Sequence, residues 1–360
     1  MRTWHAVLVA TLCAVTPARA RAQTPAVRAE LTGRVQVQFN STSADAEEAS
    51  TTFETRRVRL GTRIEVEEWI TGMLEADFAL GRLQLKQVWA AFELDPLFVV
   101  RAGQFKKPFS RINVTSSAEH AMIERGVRIR GLDDALVGAG EPDVFDEVDG
   151  ALIIGEAYSL LDVQGYAAYD LGATIEGSRG GLGWAAGIFN GAGPDTRDDN
   201  DGKSFAARIS YDLDVGVPLS VGGAWSRREL TGVTTDGAGR GDAFEIDAEL
   251  GGFRDGPWLL AEGALGDNLA TGERFLGALA VLSYFAPTDG DRVEGLEPMV
   301  RLSWGDPDRT IEGDAGVLVT PGVNLYFFGR NRLMLNWDVY VPEGELDAQH
   351  AARAQVNLNF

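Results

Sequence analysis

The sequence predicts an all-β protein: a membrane-spanning antiparallel barrel of about 16 strands, with one long loop folded inward to narrow the lumen. Three observations lead there. Apolar and polar residues alternate with period two along much of the chain, as side chains do on the two faces of a strand. Charged residues occupy one of those faces. No apolar run reaches the roughly 20 residues that a spanning helix needs.

The N-terminal segment is read separately. Arg2 supplies a positive start, Ala6 to Val15 is a short apolar run, and small-residue cleavage sites follow at Ala18-Arg19-Ala20 or Ala20-Arg21-Ala22. That order is the pattern of a secretory signal, so residues 1–22 are expected to be removed and residues 23–360 to form a single barrel in a bacterial outer membrane. The one cysteine of the chain, Cys13, lies in that segment behind Leu12, which is not a lipoprotein signal. A disulfide framework and a thiolate metal site are thereby excluded. Beyond residue 22 only His120 and His350 remain, too few for a histidine-rich metal centre, and neither has a recognisable acid and nucleophile beside it. No metal, cofactor or catalytic residue is expected. The stretch from Asp195 to Lys203 has the look of a calcium loop, but Arg197 and Arg208 stand where ligands belong. Acidic residues outnumber basic ones, 53 to 33, which argues against a nucleic-acid partner.

The last ten residues show the alternation best. Ala352, Ala354, Val356, Leu358 and Phe360 share one face, and Arg353, Gln355, Asn357 and Asn359 the other. A strand ending in an aromatic is expected to be the handle for the barrel-assembly machinery. In 332–340, Leu333, Leu335, Trp337 and Val339 oppose Met334, Asn336, Asp338 and Tyr340. In 56–67, Val58, Leu60, Thr62, Ile64 and Val66 oppose Arg57, Arg59, Arg63, Glu65 and Glu67; in 73–80, Leu74, Ala76, Phe78 and Leu80 oppose Met73, Glu75, Asp77 and Ala79. A soluble barrel or sandwich fills its interior with Val, Ile and Leu. Here the face that would point inward is charged, as for a lipid-facing exterior around a wet lumen.

Taken in order, strands are expected near 31–40, 53–66, 70–80, 84–94, 97–104, 148–156, 159–170, 181–190, 204–213, 217–228, 242–253, 257–267, 273–286, 295–304, 313–328, 331–341 and 350–360. Glycine- and aspartate-rich connectors such as 191–203 and 231–242 separate them. Seventeen segments exceed by one the even number of such barrels, so 16 strands are expected. Trp69, Trp89, Trp184, Trp225, Trp258, Trp304 and Trp337 are expected at the two interfaces or in ordinary packing. From Phe105 to Asp146 the alternation lapses, and this is the expected constriction loop.

At that loop the sequence resembles the phosphate-selective porin O and P family. The resemblance rests on Gly103-Gln104-Phe105-Lys106, Pro108-Phe109, Thr115-Ser116-Ser117 and Met122-Ile123-Glu124-Arg125 within 101–126, with looser likeness at 56–94 and 187–195. It implies a 16-stranded outer-membrane porin, usually a homotrimer, through which small anionic solutes such as phosphate or polyphosphate diffuse.

The residues that would line such a path are Arg57, Arg59 and Arg63 on one strand, Arg101 on another, and Lys106, Lys107, Arg111, Arg125, Arg128 and Arg130 around the loop. Guanidinium forks and ammonium groups suit oxyanions, and rings of them are how anion pores select. The competing reading is that they pair with Glu65, Glu67, Glu75, Asp77, Glu124 and the acidic run Asp133, Asp134, Glu141, Asp143, Asp146, Glu147 and Asp149, leaving a mixed or cation-preferring lumen. A non-conducting barrel plugged by its loop, and an esterase using His120 or His350, are the alternatives from other classes.

Overall fold

The computed structural model describes residues 27–42, 50–81, 83–125, 161, 165–196, 198, 201–229, 239–269, 271–313, 315–343 and 348–360. The wall is built from β1 (Arg28–Thr42), β2 (Ser50–Glu67), β3 (Ile70–Asp77), β4 (Gln84–Asp95), β5 (Phe98–Lys106), β6 (Tyr169–Arg179), β7 (Leu182–Phe189), β8 (Ser204–Asp214), β9 (Pro218–Glu229), β10 (Arg240–Leu250), β11 (Pro257–Asp267), β12 (Arg274–Tyr284), β13 (Ala286–Pro287), β14 (Gly295–Asp306), β15 (Gly316–Phe328), β16 (Asn331–Pro342) and β17 (Gln349–Asn359). The two residues of β13 continue β12 past an irregularity, since both pair with β14, so the barrel has 16 strands. Each strand runs antiparallel to the next, and β17 returns to β1 from Arg34↔Asn359 to Thr42↔Ala351, which closes the ring. At the seam Phe360 and Gly33 exchange both backbone hydrogen bonds, and a Cβ on Gly33 would lie 2.1 Å from the Phe360 ring.

The burial pattern is the inverse of a soluble protein's. On β10, Phe244 and Ile246 are 48% and 72% exposed, whereas Glu245 and Asp247 between them are 2% and 7% exposed. On β17, Ala352, Val356 and Leu358 are exposed while Arg353, Gln355 and Asn357 are buried, as their alternation predicts. Aromatics on the outside gather at both rims. Trp69, Phe92, Phe98, Tyr211, Tyr284 and Phe328 ring the end with the short turns; Phe53, Phe78, Phe205, Phe244, Trp304 and Trp337 ring the end with the long loops. Two aromatic belts around an apolar band mark the height of a bilayer. Trp258 departs from them and is buried inside.

One expected strand is misplaced in the sequence reading. The sixth strand is Tyr169–Arg179, not 159–170. Leu171 and Ile175 do face out, but Gly172, Ala173 and Gly177 dilute their contrast with Asp170, Thr174 and Glu176. The segment 148–156, the signal segment 1–22 and the acidic run 133–149 lie outside the described residues.

Above Val88↔Gln104 strands β4 and β5 part, because β5 turns toward β6 and into the loop. The fork is bridged from the β7–β8 loop. Asp195 accepts from Leu85 N at 2.9 Å, and its own N–H donates to Gln104 Oε1 at 2.8 Å. The root of the constriction loop is thus tied to the wall on both sides.

Ile246→Arg places a charge on the oily face in the middle of β10. It is expected to destabilise the barrel by about 2–4 kcal/mol in denaturant titrations in phospholipid vesicles.

Candidate channel constriction

The loop begins where Lys106 leaves the wall, and its described part, 107–125, crosses the lumen. Ser110 caps the short helix α1 (Arg111–Val114) by accepting from Asn113 N, and its hydroxyl donates to Glu262 Oε1 at 2.7 Å. Glu262 also accepts from Ile112 N at 3.0 Å, so one β11 carboxylate holds the start of the helix. Arg111 reaches Glu249 on β10, with Nε at 2.7 Å from Oε2. The apolar side of the loop, Ile112, Ala121 and Met122, packs on Trp258, Leu260, Val281 and Met299, an oily patch inside an otherwise polar wall. That patch explains the inward Trp258: those apolar side chains are covered by the loop and not left to lumenal water.

Further along, the wall receives the loop backbone. Asn324 donates to Ala121 O at 2.8 Å, Asn336 accepts from Ile123 N at 2.7 Å, and Arg301 donates to Glu124 O at 2.7 Å. The strongest anchor is electrostatic. Between Gln36↔Arg57 and Val37↔Thr55 the β1–β2 register slips by one residue, and Arg56 is the bulged extra. A bulge puts two consecutive residues opposite one and breaks the alternation. Arg56 and Arg57 are both buried and both meet the Glu124 carboxylate, at 2.6 Å and 3.6 Å. Burial pulls that carboxyl upward, but Arg56 and Arg57 outweigh it and hold it below the usual carboxylate range. Behind it Asp338 binds both Arg301 (3.0 Å) and Arg353 (2.7 Å), continuing the ionic ladder along the wall.

From the other end the β10–β11 turn also folds under. Arg254 donates to Gly329 O at 2.5 Å and to Glu294 at 2.6 Å, with its guanidinium 5.0 Å from the Phe285 ring and 5.1 Å from the Tyr326 ring. Loop and turn together occupy the β10–β16 side of the lumen.

Open space remains on the opposite side. A cavity of about 370 Å³ lies between the loop residues Lys106, Pro108, Val114, Ser116 and Ser117 and a wall formed by Arg34, Arg59, Glu75, Gln87, Arg101, Tyr169, Thr174, Glu176 and Arg208. A second cavity, about 420 Å³, adjoins it toward the turns and shares Glu176 and Arg208. Five cationic side chains and two carboxylates face the first cavity. Arg59 pairs with Asp77 at 2.8 Å, Arg101 with Glu176 at 2.6 Å, and Arg208 with Glu245 and Asp247 at 3.0 and 2.6 Å. Arg34 differs: its partners are the hydroxyls of Ser116 (3.1 Å) and Ser117 and the Asn359 side chain (3.1 Å), with no carboxylate among the described residues.

Of the basic residues singled out in the sequence, Arg59, Arg101 and Lys106 line the cavity. Arg57 and Arg111 anchor the loop. Lys107 is buried behind it, donating to Gly165 O at 2.7 Å and lying 4.0 Å from Asp170. Arg125 donates to His120 Nε2 at 3.3 Å. Burial first, then the charges of Arg125 and Lys106, holds His120 neutral, well below its usual range. Arg63 is exposed toward the turn end, opposite Glu30. Arg128 and Arg130 lie outside the described residues. Arg34 and Arg208 were missed, although Arg34 shares its polar face with Gln36, Gln38 and Asn40 and was readable by the same alternation.

A closed 16-stranded barrel with an inverted surface, a folded-in third long loop and a polar eyelet defines an outer-membrane channel of the porin class. The chain belongs to the phosphate-selective porin O and P family, whose model matches residues 29–255. No curated protein matches the sequence. Among solved structures, OmpF of Salmonella typhi in complex with daunomycin superposes with a TM-score of 0.61 at 14% identity, covering 92% of this chain and 97% of that one. The outer membrane channel DcaP of Acinetobacter baumannii gives 0.60 at 11% identity, with 93% and 97% covered. OmpT of Vibrio cholerae, solved in a trimer form, gives 0.56 at 11%, with 93% and 99% covered. Family and fold together place the protein in the outer membrane as a channel for passive diffusion.

Glu124→Gln removes the counter-charge of Arg56 and Arg57 and is expected to loosen the loop, seen as increased current noise in planar bilayers. Because the Glu124 carboxyl sits below its usual range, docking in the wild type is full at neutral pH. It weakens only as pH falls through that lowered value, below the usual titration of a glutamate near pH 4.3. Noise in the wild type is therefore expected to rise only in strong acid.

Proposed function

We propose that the channel prefers small anions and that phosphate-like oxyanions pass between the loop and the β1–β8 wall. The observation that carries this reading is Arg34: a guanidinium on the cavity, oriented by two serine hydroxyls and in ion-pair contact with no carboxylate among the described residues. The hydroxyls carry no charge of their own and themselves offer hydrogen bonds to an oxyanion. Lys106 adds a second positive group from the loop side, its Nζ held by the carbonyls of Asn113 and Thr115 (3.1 Å to the latter). The overall acidity of the chain does not oppose this, because Asp77, Glu245 and Asp247 stand behind the cavity, paired with its arginines.

The channel acts by geometry and field alone. Solutes narrower than the gap between loop and wall diffuse through, and the cations that face the gap raise the local concentration of anions. The trimer form known for OmpT supports a homotrimer here, seated in outer-membrane lipid.

Arg34→Glu combined with Lys106→Glu is expected to reverse the sign of the zero-current potential in a potassium chloride gradient. Lys107→Glu, off the cavity, is expected to leave that sign unchanged. Cation preference in the wild type would overturn the anion reading and leave the barrel intact.

A further inference from the structure

Arg208 is the cation that lines both the constriction and the cavity below it, and it is also the one tied to an acidic patch with more negative than positive charge. From β8 its guanidinium crosses β9 to reach β10. The crossing is possible because β9 carries Gly222 there: a Cβ at that position would lie 2.5 Å from Arg208 Nη2 and 2.7 Å from Asp247 Oδ2. On the far side stand Glu245, Asp247 and Glu249 of β10 and Glu262 of β11. Four carboxylates meet only two guanidiniums, Arg208 and the loop's Arg111. Among the described residues Glu262 is held by the Ser110 hydroxyl and the Ile112 N–H with no cation in contact, and Asp247 Oδ1, buried, has no hydrogen-bond partner. Toward the open cavity Arg208 shares its space with Glu176, which is committed to Arg101.

We infer that Arg208 sets a proton-dependent ion selectivity: its positive charge is masked by Glu245 and Asp247 when they are ionised and acts on the permeation path when they take up protons. The inference rests on the anion-channel reading above and assigns it a regulated residue. Among the described residues the patch holds two negative charges beyond its cations, with Glu245, Asp247 and Glu262 buried, an excess that proton uptake relieves. Arg208 cannot lose its own proton in this range, so acidification only neutralises the carboxylates that surround it. Lower pH then leaves the one positive charge of Arg208 unmasked at the junction of the two cavities.

The test is the zero-current potential of the full-length reconstituted channel in a potassium chloride gradient, measured at about pH 8 and again at about pH 4, a span that covers carboxylate protonation. The anion-to-cation permeability ratio of the wild type is expected to rise about two- to three-fold on acidification, the scale of one screened charge. Asp247→Asn with Glu245→Gln is expected to show the higher ratio already at pH 8 and little further change. Arg208→Ala keeps the carboxylates and is expected to lose most of the rise; it serves where the double variant does not fold. If both variants keep the full wild-type rise, other carboxylates such as Glu75 and Glu176 are titrating and the inference is overturned. A wild type that prefers cations at pH 8 but shows a rise that these variants abolish would sink the anion reading and leave this one standing.

Discussion

Hydrocarbon offers no hydrogen-bond partner, so a chain that crosses it in strands has to satisfy each backbone N–H and C=O on a neighbouring strand. The β1–β17 pairing meets that demand by leaving no edge. Closure also fixes the chemistry of each side chain, because alternate residues are forced to face either lipid or a narrow enclosed space. Once Phe244 and Ile246 are committed outward, Glu245 and Asp247 have nowhere else to go. The lumen is crowded with charge for this reason, and the ionic ladders that line it follow from the crowding.

Those ladders do more than neutralise one another. Many inward groups that bulk water cannot solvate take a partner, and the loop supplies several: the Ser110 hydroxyl, the N–H groups of Ile112 and Ile123, the carbonyls of Ala121 and Glu124, and the Glu124 carboxylate. The loop is therefore bound mainly through the β10–β16 side and through the Arg56 bulge, and these contacts leave space open along β1–β8. The aperture is off-centre because its anchors are off-centre. Lys106 ends up on the aperture and Lys107 behind it through the same departure from the wall.

Most of the fold was legible because it obeys one period. The apolar faces of 333–339 and 352–360 and the charged faces of β2 and β3 read directly from alternate letters; these gave seventeen segments, and the even number of strands in closed barrels brought the count to 16. What was lost is where that period weakens or slips. Small residues hid the sixth strand at Tyr169–Arg179, since Gly172, Ala173 and Gly177 give little contrast between faces. The bulge at Arg56 breaks the count by one, so a strict alternation assigned Arg57 inward and overlooked its neighbour. The constriction was only partly legible. Arg59, Arg101 and Lys106 stand near it in sequence, but Arg208 reaches it across a neighbouring strand through a glycine, and nothing in a local window reports on that. Buried roles such as that of Lys107 depend on which way the chain turns after Lys106, which residue type alone does not decide.

The inward loop and the tucked-under turn have a consequence for how such a pore changes its gauge. The hoop's circumference is set by strand number, but the mesh is set by how far one folded segment stands from one arc of that hoop. Exchanging a few side chains between Lys106 and Ser117 would retune the sieve while the hoop, and the assembly that builds it, stay as they are.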